Sequence, residues 1–444
     1  MLWIADNLFV GNRLSTGQIR TTDDVRIDLR NITAPIIVFC SWGDNITPPQ
    51  QALHWILDLY DHDREIVENG QTIVYTMHQS IGHLGIFVSG KVATKEHGEF
   101  VSCMELIDVL PPGLYEAVIT DVGENTPNRN LVEGKYLFRL EARTLHDIRA
   151  LGGNDAADDR RFGTVERVSE INRGLYENLM APGVRAFATE QTAEALRATH
   201  PNRLRFAMFS DHNPWMVPVK AVAEAVRASR QPASPDNPLL IMERATSSWI
   251  TNWLHSFGEI RDTITEAVFL STYDSPLLQA LVGLGAPQPT PNRIERDLVR
   301  EADVARMRSE LEGRFEVGGV QDAAIRALVY IRLPEHSIDE RGFSALKLIR
   351  ESRPLNQHMS LAQFKEMLRQ QYLLVCLDEE RAIATLPKLL GGDSSQRKAA
   401  LDALRQVTSA RGDMSDEGRR RLKRIETLFE VVTTKRSKTE AQHA

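Results

Sequence analysis

Two strand-to-turn passages constrain the first hundred residues most. "APIIVFCSWGDNITPPQQALHWI" carries a short β-branched run over Ile36–Cys40, passes an acidic turn at Asp44, and opens a helix at Pro48 and Pro49. "QTIVYTMHQSIGHLG" repeats the plan, with an apolar run through Ile73–Tyr75 and then a Gly82–His83 turn. Proline suits a first helical turn because its missing N–H would be unpaired there anyway. The helix between the two runs places Leu53, Ile56, Leu57 and Tyr60 on one face, and Gly70 ends the connection. Strand, helix, strand is the pattern of a parallel sheet, and "LGIFVSGKVATKEHGEFV" is expected to return as a further helix.

After "PPG" at 111–113, residues 114 to 145 alternate apolar and polar on both sides of an Asn/Pro/Gly loop, which predicts a β-hairpin. From Leu145 to about 285 the chain reads as helices, followed by the Pro/Gly linker "GLGAPQPTPNR". Leu175, Leu179, Val184 and Phe187 fall on helical faces and read as core or interface positions. "FSDHNPWMVPVK" reads either as a pocket edge or as a helix-opening turn covered by Trp215. Residues 295 to 432 read as all helical, with several helices opened by Ser or Asp followed by Glu, which satisfies free N–H groups and complements the helix dipole. The expected class is thus α/β followed by mainly α. The parts are a partial α/β domain (1–110), a hairpin-plus-helix region (111–290), a helical domain (295–432) and a polar, unordered tail (433–444).

A chain of 444 residues is too long for one ordinary core. Its net charge of −7 argues against a general nucleic-acid binder, which needs a basic field to neutralise phosphates. The three cysteines, Cys40, Cys103 and Cys376, are scattered and odd in number, as expected of a reducing cytoplasm, and no Cys/His group has zinc-ligand spacing. The longest apolar runs fall far short of the ~20 residues that span a bilayer. "MLWIADNLF" is no secretory leader, because no basic region precedes it, and it reads like the middle of a folded domain.

An acid and a histidine beyond consecutive parallel strands match two parts of an acyl-transfer triad in the chain order acid, then base. Asp44 and His83 hold those places. Each also has an ordinary reading, since Asp before "NITPP" caps its own turn and a Gly-His pair makes a tight turn. His78, nearer the strand, is a rival base. No G-x-[SC]-x-G elbow occurs in the residues before Asp44; Cys40 lies within its strand and Ser80 lies in the histidine's own loop.

The stretch "NRLSTGQIRTTDDVRIDLRNITAPIIVFCSWGDNITPP" resembles the C-terminal part of the catalytic domain of poly(3-hydroxyalkanoate) synthases. The shared pattern falls on Asn12, Leu14, Gly17, Ile27, Asp28, Leu29, Ile32, Pro35, Asp44, Ile46 and Pro48, and "SIGHLG" matches the family's histidine turn. The connection between acid and histidine is longer here. The resemblance implies that Asp44 orients His83 as the base, acting on an acyl thioester or polyester. It also implies that the 444 residues are the C-terminal portion of a longer protein, and that they are inactive by themselves. Across its length, through "LPPGLYEAVI", "ARTLHDIRALGGND" and "VSEINRGLY", the chain is similar to large bacterial proteins of unknown function labelled poly(3-hydroxyalkanoate) synthetase-like.

The helical segment from about 315 resembles the tellurite-resistance TerB-like fold, whose acidic helix starts are matched by "RGDMSDEGRRRLKRI" and, in degenerate form, by Asp339–Glu340 and Asp378–Glu380. That resemblance implies a divalent-cation site at Asp413, Asp416 and Glu417, and a module that binds protein partners. Oxygen clusters suit hard cations, while the plainer reading is that these acids only cap their helices. No other cofactor is expected.

Overall fold

The computed structural model describes residues 2–10, 12–153, 155–285, 297–352, 358–391, 394–412 and 414–440, the last ten as backbone only. They form two compact units, one of Met1–Asp155 with Asn292–Ala444 and one of Ala156–Pro291.

The first unit is built on a five-stranded sheet in sequence order. β1 (Ile36–Ser41), β2 (Thr72–His78) and β3 (Gly113–Asp121) are parallel; β4 (Tyr136–Arg143) returns antiparallel as the expected hairpin. Register from Ile36↔Ile73 to Ser41↔His78 brings the ends of β1 and β2 side by side. β5 (Ser337–Asp339) pairs with β4 through Arg139↔Asp339 and Glu141↔Ser337. This strand is an exception to the all-helical reading of 295–432. "HSID" is too short for a sequence period to mark, and its place is set by the open edge of β4, more than anything local.

Alternation along β2 divides the core. Ile73 and Tyr75 pack on one face with Leu53, Ile56, Leu57 and Tyr60 from α1 (Pro49–Leu59) and its end, while Val74 faces Phe100, Leu106, Ile107 and Phe138 on the other. Buried faces on both sides explain why these strands read as continuous apolar runs. The stretch after His83 returns as short helical pieces, Gly85–Val88, Gly90–Val92, Ala93–His97 and Gly98–Ser102, not as one helix.

The C-terminal helices belong to this same unit. α2 (Val320–Arg332) is its centre, burying Ala323, Ala327, Tyr330 and Ile331 against Ile383, Leu386, Leu401, Leu404 and Ile425. Arg326 lies fully buried and is held by Gln371 Oε1 at 2.7 Å, the Phe315 carbonyl at 2.8 Å and Thr385 Oγ1 at 3.0 Å. α3 (Glu340–Glu351) follows β5 directly, and the backbone of the last helix, Asp416–Glu440, crosses the start of the tail expected to be unordered.

The second unit is helical, from Ala156–Leu175 to the 36-residue helix Pro238–Tyr273 and the short Pro276–Leu281. Among its described residues only Thr164, Ala181 and Gln279 are buried. Leu175, Leu179, Val184 and Phe187, read from sequence as core or interface, are exposed, and Trp215 is 84% exposed instead of covering its turn. Helical spacing marks an apolar face without saying whether anything covers it.

Candidate functional site

The end of β1 turns sharply. Asp44 N–H returns to the Ser41 carbonyl at 3.1 Å, and Gly43 N–H to the buried Ser41 Oγ at 3.1 Å. Asp44 then faces inward, 2% exposed, with Oδ1 accepting the N–H groups of Ile46 (2.9 Å) and Thr47 (3.0 Å). These are the self-capping bonds of an Asx turn. Its other oxygen, Oδ2, lies 2.8 Å from His83 Nδ1.

The loop after β2 is shaped to deliver that histidine. His78, the rival base, is occupied in structure: its Nδ1 accepts the N–H groups of Ser80 and Ile81, each at 3.1 Å, and so caps the turn behind β2. The two loops touch backbone to backbone. A Cβ on Gly43 would stand 2.5 Å from the Ser80 carbonyl oxygen and 2.8 Å from that of Ile81, so only glycine admits this approach.

Burial raises the Asp44 carboxyl pKa, but the N–H bonds from Thr47 and Ile46 and the bond and charge of His83 outweigh it, leaving the group below its ordinary value of 3.8. At neutral pH Asp44 is therefore an acceptor, which assigns the proton to Nδ1 of His83 and leaves Nε2 as the basic nitrogen. The ring is 39% exposed. The same two loops and the helical turn Gly85–Val88 that follows carry the exposed apolar side chains Trp42, Ile46, Leu84, Phe87 and Val88.

Among the described residues no serine, threonine or cysteine side chain hydrogen-bonds to His83. Cys40 is buried with its Sγ directed to the Thr76 carbonyl at 3.4 Å, and burial with nearby Glu116 pushes its thiol up to about 12. A thiol in that state is not a nucleophile. The upstream motif residues serve the scaffold. Asn12 Nδ2 and Ser15 Oγ both donate to Asp58 Oδ2, at 2.8 and 2.6 Å, fastening the first residues to α1, and Asp28 pairs with Arg30 at 2.7 Å.

With that geometry in place, residues 1–314 match the family described as "Protein of unknown function (DUF3141)". The chain belongs to DUF3141. It is also 46% identical over 430 residues to a Rhizobium meliloti protein described as "Uncharacterized protein in ackA 5'region". The match covers 97% of this chain and 59% of that relative, so the chain spans well under two thirds of the relative's length. No solved structure matches. The DUF3141 match ends ahead of α2, so it leaves out the C-terminal helices.

The acidic residues of the last helix start are engaged by arginines. Asp416, 91% exposed, pairs with Arg419; Glu417 pairs with Arg420 at 2.6 Å and Arg421 at 2.9 Å. Asp413 lies outside the described residues. Asp339 caps α3 through the Arg341 N–H at 3.0 Å and pairs with the Arg341 guanidinium at 2.7 Å.

Sequence reading passed over another cluster altogether. Glu99, Cys103 and Glu340 are all buried, and a ligand atom from each lies within 4.8 Å of the others. The four-residue spacing of Glu99 and Cys103 was visible, but the return of Glu340 through β5 was not. Among the described residues no helix is long and apolar enough to cross a membrane.

Proposed function

We propose that Asp44 and His83 are the acid and base of an acyl-transfer site of the poly(3-hydroxyalkanoate) synthetase-like, α/β-hydrolase kind, with the nucleophile supplied from outside these 444 residues. The observation that carries this reading is the 2.8 Å Asp44–His83 bond at the ends of neighbouring parallel strands. In such a site Nε2 takes the proton of an attacking hydroxyl or thiol. The carboxylate holds the required tautomer and stabilises the imidazolium that forms. The exposed apolar side chains on the loops that carry Asp44 and His83 suit an acyl thioester or polyester chain. β1 is the edge of the sheet, with Ile36, Ile37 and Val38 only partly covered, which suits a sheet continued by further sequence. The 444 residues alone do not turn over substrate.

The test is labelling with an electrophilic acyl probe. The longer Rhizobium relative is expected to label at one serine or cysteine, and to lose labelling when the histidine matching His83 becomes alanine. The 444-residue chain is expected to stay unlabelled. A longer relative that takes no label at any serine or cysteine overturns the reading.

A second, non-catalytic reading rests on a different observation. Met242, Trp249, Trp253, Phe257, Ile260 and Ile264 recur at three-, four- and seven-residue steps along Pro238–Tyr273, and each is more than half exposed. That seam fits the same helix of a second copy, so the chain acts as an interaction protein, with the TerB-like helices as a further partner-binding module. Sedimentation of the chain against a Trp249→Glu, Trp253→Glu variant tests it. A monomer in both cases removes the self-association.

A further inference from the structure

We propose that Glu99, Cys103 and Glu340 form a buried site for one divalent transition-metal ion of zinc-like character, which clamps the C-terminal helices to the sheet. This site is remote in sequence from Asp44 and His83 and does not depend on the acyl-transfer reading.

Two elements converge to make it. Glu99 lies on the helix Gly98–Ser102, Cys103 caps the end of that helix, and Glu340 is the first residue of α3. Exposure is 7% for Glu99 and 5% for each of the other two. β5 ends at Asp339, and the next residue turns its side chain inward, where Glu340 Oε1 accepts the Phe138 N–H at 3.0 Å. Phe100, next to Glu99, and Phe138, whose N–H Glu340 accepts, pack edge to face with ring centroids 5.3 Å apart.

What sets Glu99 apart from ordinary capping acids is a missing partner. Glu99 Oε2 is buried with no hydrogen-bond partner. Among the described residues no arginine, lysine or histidine forms an ion pair with Glu99 or Glu340, whereas the neighbouring Asp339 is paired with Arg341. Two buried carboxyl groups and a thiol lie together without a cation, an arrangement that is costly for the charged forms unless something positive joins it.

The donor set selects the ion. Calcium and magnesium take oxygen ligands alone, so a sulfur donor disfavours them. Two carboxylate oxygens and one thiolate suit zinc, which accepts oxygen and sulfur in tetrahedral geometry. With bonds of ~2.0 Å to oxygen and ~2.3 Å to sulfur, tetrahedral donors stand roughly 3.3–3.5 Å apart. From separations within 4.8 Å, closure takes side-chain shifts of about 1 Å.

The experiment is elemental analysis of the full purified chain, followed by chelation and reloading with Zn²⁺ or Co²⁺. We expect about one equivalent of tightly held metal and a melting temperature that rises on reloading. Cobalt should give the thiolate-to-metal absorption band. Cys103→Ser should abolish that band and weaken binding by at least ~100-fold, as loss of a direct ligand exceeds loss of its supporting contacts. Cys376→Ser, at the exposed cysteine, should leave both unchanged. Glu99→Gln, nearly isosteric, should also lose the melting shift while keeping its far-ultraviolet spectrum. A wild-type chain that holds no stoichiometric metal and gains no stability from it overturns the site. So does a cobalt band that follows Cys376 instead of Cys103. In the first case the cluster holds no ion, and Glu99→Gln is neutral or stabilising.

Discussion

Replacing Gly43 by alanine tests whether the Asp44–His83 pair is held by backbone fit. The new Cβ would stand 2.5 Å from the Ser80 carbonyl oxygen, where ordinary contact begins at 3.4 Å. The obstacle is main chain on both sides, so no rotamer change relieves it. The loops after β1 and β2 must part by roughly 1 Å. That carries the Asp44–His83 separation from 2.8 Å to about 3.8 Å, beyond the ~3.2 Å at which an N–H···O bond is still formed. The overpacking itself costs about 1–3 kcal/mol.

The assay is a nitrogen–proton correlation spectrum of the histidine side chains, with a thermal melt alongside. Wild-type His83 should show the proton fixed on Nδ1. Gly43→Ala should average the two tautomers and lower the melt, while Gly82→Ala serves as a control, since its nearest neighbour to a Cβ is 3.9 Å away. A Gly43→Ala chain with the His83 signal and melting temperature of the wild type would falsify the claim that this contact positions the pair.

The depressed Asp44 pKa fixes a direction with pH. A group held below its unfolded value stabilises the fold fully above that value, near 3.8, and loses the contribution as pH falls through the lower folded value. Asp44→Asn should therefore destabilise the chain at pH 7 and flatten its acid unfolding curve below pH ~4, as read by urea melts. Arg326→Ala should lower stability by at least ~3 kcal/mol in calorimetry, because it strips a donor from Gln371, the Phe315 carbonyl and Thr385 in a sealed core. Iodoacetamide on the native chain should modify Cys376 first, with Cys40 and Cys103 protected until urea unfolds the protein, as read by peptide mass spectrometry.

The half of the site that could be read in sequence was the half built from local rules. Asp44 and His83 each follow a strand within a few residues, and parallel strands joined by a helix leave the sheet at the same edge. Register then brings Ser41 beside His78, so the two loops meet without any long-range information. Even here, Gly43 and the capping role of His78 were hidden, because both depend on how closely one loop crosses the other. The middle helices show the opposite limit. Period alone marked Leu179 and Phe187 as apolar face, yet among the described residues both stay exposed.

The buried cluster shows why the rest was out of reach. Glu340 sits in an acid-rich helix start, and local chemistry predicts a solvated capping residue there, the role that Asp339 fills. What turns Glu340 inward is β5, three residues recruited by the open edge of β4, and pairing of that kind is invisible to any window around Ser337. The same pairing sets the C-terminal helices against the sheet, where their first carboxylate meets Glu99 and Cys103. A strand too short to have a signature thus fixes both how the two ends of the first unit join and which charged groups are buried where they meet. Substituting Ile338, which faces Leu140 across that short ladder, is the change through which the fold and the cluster are most directly coupled.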